Sequence, residues 1–366
     1  MPRFEMERWQ STYERGVKFN LSESGIEPIT LRELLDEEEV RAILKLPLGY
    51  AETRGSEHLR SVIASLYKDC GPENILATTG TSEANFLAAL GTMGRGSRVV
   101  TILPNYMQVW GIARFLGCEV EELRLREEAG WQPDEEDVKG SVRSGTRAIA
   151  LSNPNNPTGA RLTEESRRAI NDAASEADAW IISDEVYRGA ERKGDLSPTL
   201  WGEYENVLVT SGLSKAFGLP GLRLGWICGP RDMIEELWAI HDYTTIAINK
   251  ITEAVGAMVL ARWREKLWAR GREIIRRNFP LLREFVERTG LAWVPPEAGA
   301  IAFLRYPWEM PSIELAKRAL QRDVLLVPGS QFREEGYLRV GFGMDSEVLE
   351  RGLARLESLF EEVDAG

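Results

Sequence analysis

Between Asn74 and His241 the chain repeats one pattern, a short apolar run followed by a segment with helical spacing. The apolar runs predict strands at about Ile75–Thr79, Val99–Leu103, Val120–Leu125, Ala148–Leu151, Trp180–Ser183, Val207–Thr210 and Leu224–Cys228. Helices are expected around Ser82–Met93, Met107–Leu116, Glu164–Ala177 and Asp232–His241. The alternation predicts an α/β domain, a mostly parallel seven-stranded sheet covered by helices on both faces. Ligands in such sheets gather outside the carboxyl ends of the strands. Those ends are where function is to be sought.

The flanking regions read differently. Residues 1–45 hold no strong strand pattern, Phe19–Gly25 reads as a loop, and Thr30 caps a short helix over Leu31–Leu44. A loop, Leu48–Gly55, leads into an amphipathic helix with Leu59, Val62, Ile63 and Leu66 on its apolar face. A long helical segment, about Ile251 to Arg288, carries Trp263, Trp268 and Phe279 as anchors and an expected kink at Pro280. Beyond it, strands near Leu291–Val294, Ala300–Arg305, Val324–Val327 and Tyr337–Gly341, with helices at Ser312–Gln321 and Ser346–Glu361, suggest a smaller α+β domain. The expected division is an N-terminal arm and small-domain segment (1–45), a large domain (46–270) and a C-terminal small domain (271–366).

Composition narrows the chemistry. The 366 residues are 43% hydrophobic, enough for a substantial core, and the net charge of −12 disfavours a nucleic-acid surface. No signal-peptide core and no membrane-length apolar run stands out, so a cytoplasmic enzyme is expected. Three scattered cysteines, Cys70, Cys118 and Cys228, form no zinc pattern and read as reduced thiols. With only two histidines, His58 and His241, a His-rich metal site is excluded. Neither lies in a recognisable catalytic context, so the chemistry is expected to come from a cofactor.

Four strand ends carry unusual residues. The first ends in Gly80-Thr81-Ser82 just before a helix, where free N–H groups and hydroxyls suit an anion; Thr81 or Ser82 also reads as a plain N-cap. The fourth ends in Ser152-Asn-Pro-Asn-Asn-Pro-Thr-Gly159, a stiff turn-rich loop presenting asparagines. The fifth ends in Asp184-Glu-Val-Tyr187, an acid that burial penalises unless a cation or donors meet it, or else a helix cap. The sixth runs into Ser211-Gly-Leu-Ser214-Lys215 and on to Arg223 and Gly225. Only nine of the 45 basic residues are lysines, so Lys215 just past a buried strand stands out. Together these groups suit a cofactor with a phosphate, a basic ring nitrogen, a phenolic oxygen and an aldehyde, which pyridoxal 5'-phosphate combines.

The order and separation of these motifs, with Pro104-Asn-Tyr106 and Leu338-Arg339-Val340, resemble the class I/II aminotransferases, fold-type I pyridoxal-phosphate enzymes, over essentially the whole chain. The resemblance implies a small domain built from both chain ends. It implies that Lys215 carries the cofactor as a Schiff base and later shuttles a proton. Asp184 would face the pyridine nitrogen, Tyr187 and Asn156 the phenolic oxygen, and Tyr106 would stack on the ring. Gly80, Thr81, Ser82, Ser214 and Arg223 would hold the phosphate. Where the family often has a serine three residues before the lysine, this chain has Gly212, and Ser211 or Ser214 is the expected replacement. Tyr50 resembles the tyrosine that reaches the neighbouring subunit's phosphate, implying a homodimer with shared active sites. Arg339, with Asn156, would hold the substrate α-carboxylate. Gly25 and Glu23 lie where the family closes over substrate, Glu23 reading a distal cation or standing as an ordinary exposed loop glutamate.

The implied activity is a ping-pong aminotransferase acting on an amino acid and a 2-oxo acid. Two alternatives stay open. The Leu213–Arg223 run and His241-Asp-Tyr-Thr-Thr245 resemble the branch that includes capreomycidine-synthase-like enzymes, so a lyase, cyclase or oxidase on the same scaffold is possible. The other is a cofactor-binding module without catalysis.

Overall fold

The computed structural model describes residues 2–365. Its centre is a seven-stranded sheet of β1 (Ile75–Thr78), β2 (Arg98–Leu103), β3 (Glu119–Arg124), β4 (Thr146–Ser152), β5 (Trp180–Asp184), β6 (Val207–Gly212) and β7 (Gly225–Cys228). The order is β1-β7-β6-β5-β4-β2-β3, and β7 alone runs against the others. Strands β1, β6 and β7 are buried at every position, as expected of strands covered on both faces. Helices Thr81–Thr92, Gln108–Leu116, Glu164–Ala177 and Arg231–His241 follow the strands at the expected places. The Glu164–Ala177 helix starts where Thr163 accepts the Ser166 N–H at 3.1 Å, and it ends at Asp178 in the left-handed region.

Register decides which strand ends meet. Ser152 pairs with Asp184, and Asp184 with Thr210, so the carboxyl ends of β4, β5 and β6 finish side by side. Thr78 and Gly212 both pair with Gly225, which draws the β1 and β6 ends together across β7.

A second sheet, β8 (Ile301–Arg305), β9 (Val327–Pro328) and β10 (Tyr337–Gly341), is antiparallel with β10 in the middle. The expected strand over Val324–Val327 splits in two. Its first half, Val324–Leu325, pairs in parallel with Phe19–Asn20, part of the stretch expected to be a loop. Two residues of pairing are too short to leave a periodic signal. The expected strand at Leu291–Val294 shrinks to one bridge, Ala292 to Arg305.

The N-terminal region differs most from expectation. A helix covers Glu5–Tyr13, burying Met6 and Trp9 on one face, and the Trp9 indole donates to the Leu326 carbonyl at 2.8 Å. The helix expected over Leu31–Leu44 is two helices, Leu31–Leu34 and Glu37–Leu44. Asp36 and Glu39 exchange side-chain and backbone bonds, both 2.9 Å, so a second capping box restarts the chain there. Pro280 does not break its helix, which runs from Arg264 to Thr289. It sits on the exposed face, where water can satisfy the carbonyl that its missing N–H leaves free. The irregular turn falls earlier, at Val259–Trp263. No helix among the described residues is long and apolar enough to cross a membrane.

Candidate active site

A cavity of about 520 Å³ opens at the carboxyl ends of β4, β5 and β6. Its wall includes Thr81, Ser82, Tyr106, Asn156, Asp184 and Tyr187, with Ser214, Lys215 and Arg223 on the far side. The N-terminal loop roofs it: Gly25 lies against the Ser214 carbonyl and the Lys215 side chain, and the Glu27 N–H donates to the Gly343 carbonyl at 2.8 Å.

One end is an anion cradle built from backbone. Gly80 precedes the Thr81–Thr92 helix with φ +81°, and a Cβ there would collide with the Arg223 guanidinium. The first N–H groups of that helix have no intrahelical partner and point with the helix dipole at the cavity. The Thr81 hydroxyl is buried without a partner. A Cβ on Gly212 would lie 2.5 Å from that hydroxyl and 2.7 Å from the Leu224 carbonyl, so a serine does not fit here without displacement. Of the two expected replacements, Ser214 faces the cavity, whereas Ser211 is turned to the Glu185 carbonyl at 3.4 Å.

A brace behind the cradle was not legible beforehand. Glu83 accepts from the Thr79 N–H at 2.6 Å, from the Thr244 hydroxyl at 2.5 Å and from the Thr245 hydroxyl at 2.9 Å, with His241 Nε2 at 3.6 Å. Burial raises the Glu83 pKa, but bonds from His241, Thr244, Thr79 and Thr245 outweigh it and hold the carboxyl at about 2. The acid is therefore charged at any working pH and ties the helix start to the His241–Thr245 turn.

At the cavity floor Asp184 accepts from Asn85 Nδ2 at 2.8 Å and from the Val186 N–H at 3.1 Å. Burial pushes its pKa up, against the lowering by Asn85, Val186 and Lys215. A carboxylate so placed is met best by a cationic N–H. Asn85, fixed in turn by the Thr210 hydroxyl at 2.5 Å, also went unrecognised. Its one signal was an asparagine just ahead of the apolar Phe86–Leu90 run.

The residues expected to face substrate are held by contacts within the protein. Arg339, on the central strand β10, is 1% exposed and stands behind the cavity wall. Its guanidinium donates to Asn156 Oδ1 at 2.9 Å and to the Ser22 carbonyl at 2.6 Å, while Nε is buried without a partner. Burial lowers its pKa, opposed by Tyr187, Glu23 and Glu7. The Tyr187 hydroxyl is also buried and unpartnered. Tyr106 donates its hydroxyl to Glu7 at 2.8 Å, a contact from the N-terminal helix. Tyr50 is 91% exposed and stands outside the cavity of its own chain.

The residues fit pyridoxal phosphate. An anion cradle that a Cβ would fill, an orphaned threonine hydroxyl beside it, a buried acid and an orphaned tyrosine hydroxyl surround the one cavity lysine. The profile of the class I and II aminotransferases matches residues 28–356. Capreomycidine synthase of Streptomyces vinaceus is 30% identical, covering 97% of this chain and 93% of that protein. The aspartate/prephenate aminotransferase of Thermus thermophilus is 28% identical, covering 93% of this chain and 91% of its own. The solved structure of a PLP-dependent aminotransferase from Streptococcus suis superposes with a TM-score of 0.93 at 31% identity, covering 99% of this chain and 98% of that one. The chain belongs to the class I and II aminotransferase family, whose fold-type I enzymes depend on pyridoxal 5'-phosphate.

Proposed function

We propose that the protein transfers an amino group between an amino acid and a 2-oxo acid in two half-reactions. The observation that carries this reading is that Lys215, Asp184 and Asn156 line one cavity while Asn156 is bonded to Arg339. The cofactor, when bound, supplies an electron sink for the substrate α-carbon. The protein does the rest. Arg223 and the amides at Thr81 and Ser82 would hold its phosphate, and Asp184, oriented by Asn85, would hold a proton on the ring nitrogen. Lys215 Nζ would hold the aldehyde and would move a proton to or from the substrate α-carbon. Tyr187 donates towards the phenolic oxygen, and Arg339 receives the α-carboxylate in place of the Ser22 carbonyl.

The rim bears on the donor. Glu7, Glu23 and Glu27 line the mouth, whereas the cavity's cations, Lys215 and Arg223, belong to the cofactor. Donors with neutral or cationic side chains are therefore favoured over aspartate, by about tenfold in kcat/KM. A panel of amino donors with several 2-oxo acids, read by product analysis, tests both points. Absence of any paired oxo-acid and amino-acid products sinks the transfer reading. The resemblance to capreomycidine synthase supports a second reading, an elimination or cyclisation of the amino acid. Its mark is a product that forms without any 2-oxo acid acceptor.

As in the resemblance that suggested Tyr50, a homodimer with shared active sites is part of this proposal. Tyr50→Phe should then weaken cofactor retention although its ring lies outside its own cavity.

A further inference from the structure

A second hollow, of about 260 Å³, lies between the segment after Tyr187 and the long Arg264–Thr289 helix, lined by Arg192, Lys193, Arg276, Phe279 and Arg283. Four cations around one concavity are unexpected in a chain of net charge −12. Neighbouring arginines on the same helix are neutralised: Arg272 pairs with Glu191 at 2.8 Å and Arg288 with Glu357 at 2.7 Å. Among the described residues Arg192, Lys193 and Arg276 have no such partner, and Arg283 has only Glu287 at 3.7 Å, both exposed. Glu297 is the acid near Arg192, and its carboxylate accepts the Arg161 N–H at 3.3 Å.

Two of the guanidinium groups are held in place. Arg192 lies over the Phe279 ring, 3.9 Å from its centre, and donates through Nε to the Pro296 carbonyl at 2.9 Å. Phe279 stacks in turn on Trp293. Arg276 donates through Nε to the Arg192 carbonyl at 3.0 Å. Each anchor uses Nε, which leaves the terminal nitrogens free for a planar or tetrahedral oxyanion. The hollow is smaller than the roughly 300–1,000 Å³ of sites for drug-sized ligands, which points to a compact anion.

We propose that this hollow binds a small multivalent oxyanion of the pyrophosphate class, separately from the cofactor's phosphate. Calorimetric titration of the cofactor-loaded protein with inorganic pyrophosphate tests it, the Arg223 cradle being filled by the cofactor. Saturable binding that weakens with added salt is expected. The double variant R192A/R276A should lose at least tenfold in affinity, about the scale of one charge-assisted hydrogen bond, with cofactor content unchanged. Because Arg192 packs on Phe279, K193A/R283A, altering two exposed side chains, provides an independent arm with an expected loss of about threefold or more. Trp293 fluorescence should respond to pyrophosphate in the parent protein. No saturable binding, affinity unchanged in both double variants, or binding of citrate but not pyrophosphate would overturn the proposal.

Discussion

The two ends of the cavity are built in opposite ways. The end proposed for the cofactor is made of consecutive residues at strand ends, Gly80-Thr81-Ser82, Asp184 to Tyr187 and Ser214-Lys215, which strand register brings together. The end proposed for the substrate is assembled from residues 99 to 317 positions apart. Arg339 meets Ser22 and Asn156, and Tyr106 meets Glu7. The first is a rigid frame fixed by backbone contact, as the close approach of Gly212 and Gly225 to the Gly80–Thr81 turn shows. The second hangs on side-chain bonds to an N-terminal arm. On the proposed function, chemistry that every substrate shares belongs on the frame, and discrimination between substrates belongs on the arm.

The sharpest way to break this contrast is Lys215→Ala. Transfer activity should fall by about 10⁴-fold or more while the fold is kept, as near-UV circular dichroism would report. Next is Arg339→Lys, which keeps the charge but loses the fork. It should lower kcat/KM by roughly 10²-fold with cofactor affinity unchanged. Loss of cofactor in this variant would show that the two ends are not separable. Gly212→Ser, in contrast, should weaken cofactor binding by about tenfold by displacing the Thr81 hydroxyl, with substrate KM little changed. The pair T81A/G212S should recover part of that loss, because removing the threonine hydroxyl opens the space.

The smallest effect lies beneath the frame, at Glu185. Burial pushes its pKa up to about 7, despite Arg188 and bonds from Leu200, Thr199 and Ser183. The folded state keeps this proton until about pH 7, whereas the unfolded chain releases it near the ordinary value of 4.5. Its contribution to stability is thus present at low pH and falls as pH rises from 4.5 towards 7. Comparing denaturant midpoints at pH 5 and pH 7.5, the parent should lose more stability than Glu185→Gln. Parallel pH dependence in the two proteins would contradict this.

Legibility followed the range of the contacts. Strands β1, β2 and β4 to β7 were readable because each carries an apolar run, whereas β3 shows only Val120 and Leu123 among charged neighbours. The helices were readable because capping and periodicity are local. Asn85 and the Glu83 brace were missed because their partners, Asp184, Thr244 and Thr245, lie 99 to 162 residues away. The Asp36–Glu39 capping box was local and could have been read. It was hidden inside a run of acids that also suits a continuous helix. The Phe19–Asn20 strand had no signature of its own, since pairing with Val324–Leu325 is its whole reason to be extended.

Residues alone therefore established the α/β sheet and its pyridoxal-phosphate family, and singled out Lys215 as the candidate anchor, because strand patterns, turn glycines and motif order act over a few residues. Only the folded chain decided that Arg339 is buried behind Asn156 and that Ser214 rather than Ser211 faces the cavity. It likewise decided that a helix from the N-terminus completes the mouth. Those outcomes depend on which distant side chains compete for one hydrogen-bonding group or one volume, and that competition exists only after the sheets have closed on each other.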